Sequence, residues 1–143
     1  MGTWDTGPFD NDTAADFCGD LDDAPSGERA GMVRAVLLRA ARTEATVYCD
    51  GDTGEKALAA AALVAAQCPR GASVTGDCGP EEPLPCLAHL RVLAAEAVER
   101  VLTEPSDLVE DWEGARGRTW RSRMHGVWEV LLPEPVGEQL ACF

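Results

Sequence analysis

An all-α bundle of five or six helices is the fold this sequence predicts, and three observations carry it. Four segments repeat their apolar residues with the period of a helix. Only Thr46-Val47-Tyr48-Cys49 is β-prone, and it is too short to anchor a sheet. Helix-starting Ser and Asp residues precede the periodic segments, and prolines follow them. A chain of 143 residues, 45% apolar and 26% charged, has the size and composition of one globular domain with a real core. We expect that domain over residues 1–133 and a loosely ordered tail over 134–143.

The opening is the stretch densest in special residues. Gly7-Pro8 signals a turn, and Trp4 and Phe9 are large apolar anchors expected to bury against later helices. With Asp10 as N-cap, Phe9 becomes the residue that staples the loop to the first helical turn. The first helix then buries Ala14, Phe17, Cys18 and Leu21. Its other face carries Asp12, Asp16 and Asp20, and like charges four residues apart disfavour a helix by roughly 0.2–0.5 kcal/mol per pair. That repulsion suggests compensation, and for Asp16 the expected form is a buried pair with an arginine from Arg29–Arg42 or Arg116–Arg123.

Pro25-Ser26 closes this helix and opens the next, with Ser26 as cap. The second helix carries Ala30, Val33, Val36, Leu37, Ala40 and Ala41 inward, and Arg29, Arg34, Arg39 and Arg42 toward solvent. Residues 46–49 form an extended connector. Asp52 and Glu55 have the spacing of a capping box, opening a helix that runs to Cys68. That helix holds Ala57, Ala59, Ala60, Ala61, Ala62, Ala65 and Ala66, so it is thin on all sides and expected to be central and buried. Pro69 to Pro85, with three glycines and four prolines, reads as a long irregular loop. A helix over about 85–103 follows, in which Glu96 and Arg100 are spaced to pair. Ser106 and Asp107 start a short helix bearing Leu108 and Trp112, which Gly114 and Gly117 should break. The last helix carries Trp120, Met124, Val127, Trp128 and Leu131 up to Pro133.

Charge narrows the function classes. The net charge is −13, and residues 1–28 hold eight acids and no Lys or Arg. Such a surface repels phosphate backbones and anionic lipids, which argues against nucleic-acid and membrane partners. A basic protein partner is allowed. No apolar run is long enough to span a membrane, which fits a cytoplasmic protein. Arg116, Arg118, Arg121 and Arg123 form the one concentrated positive group, able to hold an anion or to neutralise neighbouring carboxylates.

Site motifs are sparse. Cys18, Cys49, Cys68, Cys78, Cys86 and Cys142 are scattered without C-x-x-C pairs and are expected to be reduced thiols. Cys78, Cys86 and His89 come nearest to zinc spacing but lack a second half, so no metal is expected. The two aspartate-rich loops at 10–15 and 50–55 fail the calcium pattern at positions 5 and 6. No P-loop, dinucleotide fingerprint or nucleophile elbow occurs, and no cofactor is expected. His89 and His125 are the only histidines, each needing a carboxylate brought near by folding before it could act as acid or base.

Read in full, the opening Met-Gly-Thr-Trp-Asp-Thr-Gly-Pro-Phe-Asp-Asn-Asp-Thr-Ala-Ala-Asp-Phe resembles the signature of a bacterial family catalogued as domain of unknown function 4259. Softer similarities are the segment Lys56–Ala66, the run Ser106–Trp112 and Trp120-Arg121. Asp5 departs from the glycine expected there. The resemblance implies a small, mostly helical intracellular protein and no particular activity.

Two functions fit these readings. One is a regulatory or immunity-like protein that binds a protein or peptide through its acidic surface. The other is a small helical enzyme acting on a peptide, using Asp12 and Asp16 with His89 or His125. A cleft joining the opening aspartates to His89 would favour the enzyme, and an acidic face without one the binder. Nothing in the sequence sets the oligomeric state.

Overall fold

A computed structural model describes residues 7–44, 46–68, 86–112 and 114–132. Among them are six α-helices: α1 (Asp12–Asp23), α2 (Arg29–Ala41), α3 (Gly51–Ala66), α4 (Arg91–Val101), α5 (Asp107–Asp111) and α6 (Gly114–Leu131). Short 3-10 turns at Ser26–Glu28 and Ala88–Leu90 lead into α2 and α4. Trp4, the Pro69–Pro85 segment and the tail 134–143 lie outside the described residues.

Helix α3 is the axis of the fold. Every residue from Ala57 to Ala65 is buried, and α1, α2, α4, α5 and α6 all pack on it. Alanine lets neighbouring helices approach toward the short end of the usual 8–10 Å spacing. Helices α2 and α4 also pack on each other, closing a three-helix core that α6 covers from the α3–α4 side. Leu21, Leu37, Val64, Val98, Met124 and Leu131, from five helices, are fully buried.

The caps sit one or two residues from their expected places. Asn11, not Asp10, caps α1 by accepting from the Ala14 N–H at 2.7 Å. Asp10 is already committed, because its carboxylate accepts from the Gly7 N–H at 2.9 Å and closes the preceding turn. Phe9 is buried in the core as expected. Asp50, not Asp52, caps α3, accepting from the Thr53 N–H at 2.8 Å. That bond holds the Asp50 carboxyl below its ordinary range. Ser26 makes no side-chain cap, because a 3-10 turn intervenes before α2. Ser106 instead donates its hydroxyl to the Val101 carbonyl at 2.6 Å.

Three arginines hold main-chain carbonyls where helices end. Arg29, expected in solvent, is buried and donates to the Ala24 carbonyl at 2.9 Å, just past α1. Arg91 donates to the Leu131 and Leu132 carbonyls at 2.9 and 2.6 Å, past α6. Arg100 donates to Thr43 at 3.0 Å, Thr103 at 2.9 Å and Pro105 at 3.2 Å, and to Val47. Its guanidinium therefore turns to the ends of α2 and α4, away from the expected pairing with Glu96. Terminal carbonyls lack partners within their own helix, and a charged donor satisfies them strongly.

The connector at 46–49 is extended only at its end: Thr46 and Val47 turn, the Val47 N–H donating to the Glu44 carbonyl at 3.0 Å, and Cys49 makes a single parallel bridge to Ser106. The Cys49 N–H donates to Pro105 at 3.1 Å, and the Asp107 N–H donates to Cys49 at 2.9 Å. Asp107 also accepts from the Gly51 N–H at 3.0 Å, so the starts of α3 and α5 are held together. The Glu104–Pro105 peptide bond is cis.

Gly117 does not break a helix, because α6 starts at Gly114 and runs through it. Gly114 supplies the left-handed turn, with φ of 69°. Gly117 is buried where a Cβ would stand 2.7 Å from the Trp112 carbonyl. This close approach lets Trp112 stack on Trp120 with ring centroids 5.5 Å apart and planes 6° from parallel. Gly117→Ala should cost about 1–3 kcal/mol in urea unfolding, as overpacking against backbone does. An unchanged midpoint would mean that the α5–α6 turn yields freely.

An acidic trough as the candidate functional site

Helix α1 buries one stripe, Ala14, Phe17, Cys18 and Leu21, against the bundle. That orientation leaves Asp12, Asp16, Asp20 and Asp23 exposed. Between α1 and the first turns of α3 lies an open groove of about 560 Å³. Asp16, Asp20 and Asp23 line one wall, and Asp52 and Lys56 line the other. Four carboxylates thus face one ammonium. Asp52 and Lys56 also border a second open cleft, of about 790 Å³, whose far side carries Arg39, Asp50 and Asp107. Asp52 and Lys56 thus stand between the two hollows, and the groove beside α1 is the acidic trough.

The expected buried pair at Asp16 is corrected by this geometry. Asp16 is exposed, and among the described residues no arginine pairs with it. The α1 stripe turns the aspartate ladder outward, where solvent screens it. The aspartate face is therefore the first place to look for function.

Other candidates lie apart from it. His89 is exposed in the turn before α4. His125 is exposed on α6, tilted against Trp128 at 5.1 Å and with Nδ1 3.9 Å from the Glu129 carboxylate. Neither lines either hollow. Arg116 lies over the Trp112 ring at 5.6 Å, a cation–π contact. Arg118, Arg121 and Arg123 are exposed on α6. Arg123 reaches the opening turn, where a Cβ on Gly7 would stand 3.3 Å from its Nη1. Tyr48 lies beside Glu110, whose hydrogen bond and negative charge push the phenol up.

Sequence reasoning missed Asp23, Asp52 and Lys56 as members of one surface. Their separation along the chain hides a closeness that only the packing of α1 on α3 creates. Among the described residues, no group of three or more His, Cys, Asp or Glu side chains is arranged to hold a metal ion. Cys18, Cys49 and Cys68 are buried and Cys86 is exposed, while Cys78 and Cys142 lie outside the described residues. Burial pushes the Cys49 thiol up, away from the reactive thiolate form. No helix among the described residues is long and apolar enough to cross a membrane.

Fold and trough together define a small helical bundle with an open, carboxylate-lined surface. The chain belongs to the family described as Domain of unknown function (DUF4259), whose model matches residues 2–123. No curated protein and no solved structure matches it.

Asp16→Asn should leave thermal stability unchanged or raise it slightly, by up to about 0.5 kcal/mol for each repulsion relieved. A clear loss in the melting temperature would restore a structural partner for Asp16.

Proposed function

We propose that the protein is a binding module that takes a basic segment of a protein or peptide partner in the trough between α1 and the start of α3. The observation that carries this reading is the groove in which Asp16, Asp20, Asp23 and Asp52 face Lys56 alone. Neutralising carboxylates with Lys or Arg side chains offers the charge complementarity that speeds encounter and selects partners. The overall charge of −13 adds long-range attraction for such a partner and repels nucleic acid. A regulatory or immunity-like role in the cytoplasm suits a module of this kind.

The test is a pull-down from the source cell's own extract. The baits are the wild-type protein and a variant with Asp16, Asp20 and Asp23 each changed to Asn. The expected outcome is a protein retained by the wild type, lost with the variant and released as salt is raised. Retention of the same proteins by both baits would defeat the reading.

A further inference from the structure

Glu55 has the spacing of a capping-box residue, yet the cap of α3 belongs to Asp50. Its side chain is half-buried in a nook between four elements. Pro8 and Asn11 come from the opening turn, Leu58 from α3, Leu108 from α5, and Trp112 and Trp120 flank the start of α6. The free space is about 10 Å³, close to the least that holds one water. Solvation for a carboxylate is therefore poor on this side.

The surrounding charges do not make up for it. Asp12 on α1, Asp52 on α3 and Asp111 on α5 all act on Glu55 with the same sign. On the opening turn, Asp10 is bonded to the Gly7 N–H. On α6, Arg116 lies over the Trp112 ring and Arg123 beside Gly7. Lys56 borders the trough, with Asp52. The Thr13 hydroxyl favours the ionised form through a hydrogen bond, but burial outweighs it and raises the Glu55 carboxyl above its ordinary range.

We infer that Glu55 is a proton-uptake site whose neutral form fastens the opening turn, α1 and the Trp112–Trp120 stack onto α3. Proton uptake removes the charge from an apolar nook and ends three repulsions at once. Loss of the proton loosens the same junction, which carries one wall of the acidic trough. The fold thus has a built-in response to mild acidification, and this inference stands independently of any partner.

The sign follows from linkage. A carboxyl raised in the folded state binds its proton more tightly there, so its ionisation weakens the fold as pH rises through the folded pKa. Glu55→Gln keeps the shape and removes the titration. Urea unfolding of both proteins between pH 7.5 and pH 4 is the experiment, with the Glu55 side-chain carboxyl followed by NMR over the same range. At pH 7.5 the variant should exceed the wild type in folding equilibrium constant by up to about tenfold. The excess should vanish toward pH 4, and the Glu55 carboxyl should titrate above the ordinary range of a glutamate. Parallel stability profiles, or a Glu55 carboxyl titrating within that ordinary range, would overturn the inference.

Discussion

Everything in this fold depends on α3 having almost no width. A helix that touches five others must be buried on every side, and large side chains at those positions would push the neighbours beyond contact. The run from Ala57 to Ala65 meets that condition with alanine at six of its nine positions. Helices α2 and α4 can then reach each other across it, α1 can pack on it, and α5 can lie beside Gly54. A Cβ at Gly54 would stand 2.9 Å from Leu108 and 3.2 Å from Val101. The trough follows directly, because α1 approaches α3 closely enough for Asp16, Asp20 and Asp23 to share a groove with Asp52 and Lys56.

Close packing of short helices multiplies helix ends, and each end carries carbonyls without partners. Arg29, Arg91 and Arg100 answer at the ends of α1, α6, α2 and α4. These guanidinium groups are spent inside the fold, which has a consequence outside it. None of the three lines the groove that holds Asp16, Asp20 and Asp23, so that surface stays acidic. On α6, Arg116 lies over the Trp112 ring and Arg123 reaches the opening turn.

How much of this was legible in the sequence differs by kind of interaction. Alanine content announced the central helix, and apolar spacing announced the buried stripe of α1, because both are properties of a single segment. Caps were legible only to within a residue or two. Asp10, Asn11 and Asp12 are all able caps, and the choice fell to the hydrogen bond between Asp10 and Gly7. Gly117 looked like a breaker because composition cannot show that Trp112 lies against it. The arginine bonds to carbonyls and the inward turn of Glu55 were illegible, since their partners are set by tertiary packing. The aspartate ladder was visible as a pattern, but the second wall of its groove belongs to another helix.

The claim that α3 is buried around its whole circumference is open to one direct measurement. Ala59, Ala60, Ala61 and Ala62 are consecutive, and at about 100° per residue they point in every direction around the helix. Each is fully buried. Four single variants, Ala59→Leu through Ala62→Leu, should be compared by urea unfolding. Every one should lose stability, by about 1–3 kcal/mol or more, since each adds methylenes to a filled contact. A variant that unfolds at the wild-type midpoint would reveal an open side to α3 and contradict the account.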